Sequence, residues 1–149
     1  MKKEYTIIVG CGRLGGNIAN TLSDLGEDIL IIDKREDSFR KLSRSFGGMT
    51  MVGDGADIDC LREAEIQDAS TLIVVTENDN ANILIAQMAK DFFHTEHVIT
   101  RLYDPERQCV YDELGIETIC PALLSAKEIG KILLGAGGSG NKQGLERGA

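Results

Sequence analysis

Short apolar runs alternate along this chain with longer segments in which apolar residues recur at helical spacing. The runs are rich in β-branched residues and predict strands at residues 6–9, 28–32, 49–52, 72–75, 98–101 and 116–119. The segments between them predict helices near residues 18–25, 39–46, 58–64, 83–93, 106–114 and 123–134. Regular alternation of strands and helices indicates an α/β protein with a parallel sheet.

The predicted strands are apolar throughout instead of alternating between apolar and polar residues. Such strands are buried on both sheet faces, which indicates a doubly wound, six-stranded parallel sheet with helices on both faces. We expect one domain over residues 1–134. Residues 135–149 contain six glycines and no apolar period, so we expect a flexible tail there without a function of its own.

Composition excludes several classes of protein. The 149 residues include 24 acidic and 16 basic side chains, a net charge of −8, which argues against a nucleic-acid partner. No apolar run is long enough to insert into a membrane, so we expect a cytoplasmic protein. The four cysteines form no C-x-x-C pair, so we expect reduced thiols and no metal site.

A glycine-rich loop of the form G-x-G-x-x-G follows the first predicted strand and precedes a helix. Its first glycine permits a tight turn, its second lets a diphosphate approach the backbone, and its third lets the helix pack closely. The helix N-terminus supplies free N–H groups for phosphate. This context indicates a Rossmann-like nucleotide site, although a glycine-rich turn without a ligand is the alternative. The candidate binding residues here are Gly10, Cys11, Gly12, Arg13 and Leu14.

The ends of the loop and of the second strand carry charged candidates. Asp33 ends the second strand at the spacing from which a carboxylate binds an adenosine ribose, which disfavours NADP, although Lys34 and Arg35 could tolerate an extra phosphate. The Arg13 guanidinium could hold terminal phosphates, and so suits ATP or ADP as well as NAD. A surface turn for Asp33 and a solvated Arg13 are the alternatives.

Three later strands also end in polar candidates, at the edge of the sheet where the glycine loop lies. Each has a structural alternative: a turn after the third strand, a helix cap after the fourth, and a salt bridge after the fifth. An EF-hand calcium loop at the aspartates after the third strand lacks its required glycine. The candidates are Gly53, Asp54 and Gly55 after the third strand, Thr76, Glu77 and Asn78 after the fourth, and Arg101 at the end of the fifth. Lys34, beside Asp33 after the second strand, is a candidate as well.

A catalytic apparatus is missing from the pattern. His94 and His97 fall at the end of a helix and the start of the fifth strand, opposite the expected ligand crevice. The predicted strands and helices occupy residues 5–134, which leaves no second catalytic region. A nucleotide site without a catalyst favours a sensor over an enzyme. The alternatives are a small NAD-dependent oxidoreductase, a redox-sensing domain that acts with a partner, and a nucleotide-binding domain without a regulatory effect.

The residues from 5 to 134 together resemble the N-terminal nucleotide-binding domain of TrkA/KtrA-type potassium-transport regulators, the RCK or KTN domain. The matching pieces are residues 10–15, 32–34, 52–55, 78–82, 100–105, 114–116 and 120–121. The resemblance implies a Rossmann domain that binds NAD(H) or ATP, ADP or AMP and controls a potassium channel or transporter. Ala122 stands where some relatives carry a cation-binding glutamate, so no metal site is carried over.

The resemblance also implies partners. It predicts a homodimer or a larger ring beneath a membrane-embedded potassium channel or transporter subunit, and so a peripheral position at the inner face of the membrane. The helices predicted at 106–114 and 123–134 carry apolar faces that could seal a two-fold dimer. We expect nucleotides to change the angle between the paired domains.

Overall fold

A computed structural model describes residues 4–135 of the chain, which form one six-stranded sheet with helices on both faces. All neighbouring strands are parallel, and their order is β3-β2-β1-β4-β5-β6. The predicted fold class is therefore confirmed. The strands are β1 Tyr5–Val9, β2 Asp28–Asp33, β3 Met49–Val52, β4 Thr71–Val74, β5 His97–Arg101 and β6 Glu117–Ile119.

The connections are mostly short helices. The α-helices are α1 Arg13–Asp24, α2 Ile58–Glu63, α3 Asp79–Gln87, α4 Gln108–Glu113 and α5 Pro121–Leu133. Three 3₁₀ turns cover Glu36–Lys41, Ile66–Asp68 and Pro105–Arg107, and a π-helical turn at Met88–Phe92 extends α3. The predicted tail from residue 136 onward lies outside the described residues.

Alternate residues of the central strands enter two separate apolar cores, as the two-residue period of a strand requires. Ile7 of β1 lies in the larger core, which also receives side chains from α2, α3 and α4. Ile8 lies in the smaller core, against α1 and the segment that follows β2. The central sheet is thus covered on both faces.

The helix predicted near residues 39–46 is wrong. The chain there forms a 3₁₀ turn at Glu36–Lys41, Leu42 is extended, and a second turn follows at residues 44–45. Side chains of α1 bind the backbone N–H groups that a helix would have paired internally: Asn20 accepts from Ser43 at 2.9 Å, and Ser23 accepts from Gly47 at 2.8 Å. These contacts join distant parts of the chain, so local periodicity does not report them.

The prediction that every strand is buried on both faces is also wrong at the edge of the sheet. Met49 and Val52 of β3 are 67% and 54% exposed. β3 is an edge strand, and a 3₁₀ turn instead of a longer helix connects it to β2, so fewer side chains cover it. Among the described helices, none is both long and apolar enough to cross a bilayer.

The strand order reverses between β1 and β4, because the chain adds strands outward from β1 and then returns to its other side. Beyond these two strands, Val75 N–H donates to the Val9 carbonyl at 2.8 Å, and Gly10 N–H donates to the Ile32 carbonyl at 2.8 Å. The carboxyl ends of β1, β2 and β4 therefore meet at one place. In open α/β sheets this is where ligands bind.

Candidate functional site

The glycine loop turns sharply from β1 into α1. Gly10 has φ +106, and a Cβ there would lie 2.8 Å from the Val75 carbonyl oxygen. A Cβ at Gly15 would overlap the carbonyl oxygen of Gly10. Both positions therefore require glycine, one for its backbone conformation and both for space.

Gly12 differs from the other two glycines, because no atom of the described chain beyond its immediate neighbours lies within 4 Å of a Cβ built there. It is the N-cap of α1, and no side chain caps the helix. The space beside Gly12 is therefore open, and it adjoins a helix N-terminus with partial positive charge. Arg13 is exposed at this end, whereas Leu14 packs against the smaller core.

Asp33 connects β2 to the glycine loop. One carboxylate oxygen accepts the Cys11 N–H at 2.8 Å, and the other accepts the Arg35 N–H at 2.9 Å. A carboxylate has about four lone-pair sites, so acceptor capacity remains for a ligand hydroxyl. The sequence assigned Asp33 to a ribose, and its structural contact with the loop was not predicted.

The end of β3 approaches the cavity through a second pair of glycines. Gly55 is buried, and a Cβ there would lie 2.6 Å from Val9 Cγ1. At Gly53 a Cβ would lie 2.6 Å from Cys60 Sγ. Lys34 and Asp54 face each other across the mouth with Nζ and Oδ2 3.7 Å apart, and both are well exposed.

The segment after β4 is held by side chains of α3. The Asn78 side chain caps α3 by accepting the Ala81 N–H at 2.9 Å, as the helix-capping alternative had it. Thr76 donates its N–H to Asn82 Oδ1 at 3.1 Å, and its carbonyl accepts from Asn82 Nδ2 at 3.1 Å. Glu77 is exposed beside them.

Arg101 at the end of β5 binds backbone rather than a carboxylate. Its Nη2 donates to the carbonyls of Val75 at 2.9 Å and Thr76 at 2.8 Å. Its guanidinium carbon lies 4.7 Å from the centre of the Tyr103 ring, within range of a cation–π contact. The salt-bridge alternative is therefore replaced by a contact that fixes the carboxyl end of β4.

These pieces surround one open cavity of about 880 Å³. It lies within the usual size range of small-ligand sites. Every candidate residue lines it except Leu14. Nine further lining residues were not among the sequence-based candidates, and they include Ser38, Lys41 and Tyr103. Tyr103 lay within a quoted motif, but nothing in the local sequence places Lys41 beside the glycine loop.

Positive charge collects on one side of this cavity. Arg13, Lys34, Arg35 and Lys41 line the side formed by α1 and the segment after β2. Lys41 Nζ also donates to the Cys11 carbonyl at 3.4 Å. Three carboxylates also line the cavity: Asp33 beside the loop, Asp54 with its Oδ2 3.7 Å from Lys34 Nζ, and Glu77 after β4. The arrangement suits a ligand with an anionic part beside the glycine loop.

The Cys11 thiol is fully buried within the loop. Burial, and after it the negative charge of Asp33, raise the pKa of this thiol, against an opposing effect of Lys41. A thiol is reactive as a thiolate. Cys11 is therefore protonated and shielded at neutral pH.

Comparison with known proteins supplies the family. The family model of the TrkA-N domain matches residues 6–121. This chain belongs to the TrkA-N family. The Trk system potassium uptake protein TrkA of Streptomyces coelicolor is 41% identical over 133 residues, which are 89% of this chain and 60% of that relative. The TrkA-N chain thus spans less than two thirds of this relative's length.

Solved structures share the TrkA-N fold. The TrkA-N domain of the Escherichia coli inner membrane protein ybaL has a TM-score of 0.79 at 19% identity, covering 89% of this chain and 98% of its own. The Shewanella denitrificans Kef CTD in its AMP-bound form has a TM-score of 0.76 at 24% identity, covering 91% and 84%. The GsuK channel bound to NAD has a TM-score of 0.68 at 15% identity, covering 80% and 22%.

Proposed function

We propose that this TrkA-N domain binds an adenine nucleotide and thereby regulates a potassium channel or transporter. The nucleotide would be NAD(H) or one of ATP, ADP and AMP. The family membership supports the regulatory role, and similar structures with bound AMP and NAD support the ligand class. The domain would act on the cytoplasmic side of the membrane through a transporter subunit.

The observation that carries this proposal is the open space at Gly12. The chain leaves this position empty on the cavity side while it packs tightly around Gly10 and Gly15. A diphosphate there would receive N–H groups from the start of α1 and face the cationic side of the cavity. The adenosine ribose would lie toward Asp33, and the remaining cavity-lining candidates would surround the nucleotide.

Several features favour a sensor over an oxidoreductase. The Cys11 thiol is protonated and inaccessible, which argues against a redox role for it. His97 begins β5, at the end of the sheet opposite the cavity. Arg101 is committed to backbone carbonyls. None of these three groups would act as a proton donor or acceptor in turnover of a bound nucleotide.

A second copy of the chain is the partner best supported by the exposed surface. Every described side chain of α5 is at least partly exposed, with Ile132 at 71% and Leu133 at 79%. On the sheet face opposite the larger core, Ile73 and Ile99 are only half-buried. We propose that α5 and the exposed Val110 of α4 form a dimer surface, from which a ring could assemble. A domain with this much apolar surface gains from association.

The decisive experiment substitutes Gly12 with threonine in the full chain. Threonine is about as favourable as glycine at an N-cap, and its Cβ meets no chain atom. Gly12→Thr should therefore keep the unfolding free energy and lose calorimetric binding of AMP, ADP, ATP and NAD. Gly130→Thr makes the same change away from the cavity, on the proposed dimer surface, so it is a control for nucleotide binding alone and should bind nucleotides as the unmutated protein does.

The same titrations separate the alternatives. Unchanged affinity in Gly12→Thr would contradict the placement of the phosphates at the glycine loop. Absence of binding by all four nucleotides to the unmutated chain would contradict nucleotide sensing altogether. Turnover of NAD with an added hydride donor would favour the oxidoreductase.

A further inference from the structure

Asn82 is buried among polar groups at the carboxyl ends of two strands. It is fully buried in α3, and its side-chain amide reaches the carboxyl ends of both β4 and β5. Nδ2 donates to the Thr76 carbonyl at 3.1 Å and to the Arg101 carbonyl at 3.2 Å. Oδ1 accepts the Thr76 N–H at 3.1 Å and the Thr76 hydroxyl. All donor and acceptor positions of this amide are thus used.

Asp79, one turn earlier on α3, makes a second connection. Its carboxylate accepts the Tyr103 N–H at 2.9 Å and the Asp104 N–H at 3.1 Å. Its backbone carbonyl accepts the hydroxyl of Tyr111 at 3.2 Å. Tyr111 belongs to α4 and is buried, whereas its neighbour Val110 is half-exposed. The chain of contacts therefore runs from the cavity to the exposed face of α4.

We infer that Asn82 and Asp79 are positioning residues that couple nucleotide occupancy to residues 101–111. The inference rests on the proposed nucleotide site, because Thr76 and Asn78 line its cavity. A ligand that shifts Thr76 must carry the Asn82 amide with it, since that amide has no unused partner to absorb the shift. The Arg101 carbonyl moves in turn, and Asp79 carries the displacement onward to Tyr111. Buried networks with every member satisfied are stiff in this way.

Hydrogen–deuterium exchange of the full chain with and without ADP measures this coupling. In the unmutated protein, we expect ADP to slow exchange at residues 10–16 and also at 101–111. In Asn82→Ala, the slowing at 10–16 should persist, while the slowing at 101–111 should fall by about fivefold or more, the lower end of usual coupling between sites. A purely structural role would change exchange equally with and without ADP.

Two further variants complete the design. Asp79→Asn keeps one acceptor oxygen and so should reduce the response less than Asn82→Ala, and it decides the question if Asn82→Ala fails to fold. Asn20→Ala is the matched control, because Asn20 joins α1 to the segment after β2 and does not contact residues 101–111. It should leave the response at 101–111 unchanged.

The outcomes separate the two proposals. If ADP slows exchange at 10–16 but not at 101–111 in the unmutated chain, the coupling is contradicted and the nucleotide site stands. A full response in Asn82→Ala contradicts the coupling as well, and so does a full response in Asp79→Asn if Asn82→Ala fails to fold. If ADP has no effect even at 10–16 and produces no heat of binding, the proposed function fails and the coupling fails with it.

Discussion

Replacing Asp33 with alanine removes the carboxylate that connects β2 to the glycine loop. Each of its oxygens accepts one backbone N–H, from Cys11 at 2.8 Å and from Arg35 at 2.9 Å. The two amides differ in surroundings, because Cys11 is fully buried and Arg35 is exposed. The substitution should therefore destabilise the fold as well as weaken nucleotide binding.

The two bonds contribute unequally to the expected loss. The Cys11 N–H would be left in the protein interior without an acceptor, which costs about 1–3 kcal/mol. The exposed Arg35 N–H can hydrogen-bond with water instead, so the loss of its bond to Asp33 should add little. We expect the free energy of unfolding to fall by about 1–3 kcal/mol in total.

Urea denaturation measures this loss, and Asp37→Ala provides a matched control in the same connection. Asp37 pairs with Arg40 at 3.5 Å, but both side chains are about 85% exposed. The control should therefore stay within about 0.5 kcal/mol of the unmutated protein. If Asp33→Ala is no less stable than Asp37→Ala, the carboxylate does not hold the loop as described.

Affinity supplies a second readout on the same variant. If Asp33 also accepts a ribose hydroxyl, binding of NAD, ADP and ATP should weaken by about 1–3 kcal/mol. Affinity is measured without urea and at low temperature, where the variant is folded, so that weaker binding is not confused with unfolding. If the variant binds all three nucleotides as tightly as the unmutated protein does, Asp33 serves the loop alone.

Three other substitutions test separate parts of the molecule. Gly15→Ala places a methyl group on the Gly10 carbonyl and should cost about 1–3 kcal/mol of unfolding free energy; an unchanged urea midpoint would contradict the close packing. Arg13→Ala should weaken ATP and ADP binding more than AMP binding, and equal calorimetric losses would exclude a contact with the terminal phosphates. Ile132→Asp should turn a dimer into a monomer by light scattering, and a monomeric unmutated chain at tens of micromolar would refute the dimer surface.

Local sequence was sufficient for the features that depend on neighbouring residues. The β-branched runs form the six strands, and the structure shows the tight turn predicted at Gly10 and the close helix packing predicted at Gly15. Asn78 caps α3, as its position before that helix predicted. Strand propensity, turn geometry and capping all act over a few residues, so a single sequence displays them.

Tertiary structure alone decided how distant segments share their polar groups. Asp33 serves a loop 22 positions earlier, and Arg101 holds carbonyls 25 and 26 positions earlier. Asn20 and Ser23 of α1 replace the internal bonds of a helix that periodicity predicted after β2. The exposure of α5 likewise depends on which surfaces the sheet leaves uncovered. Long-range hydrogen bonds and burial arise only when the chain has closed on itself, and no local pattern carries them.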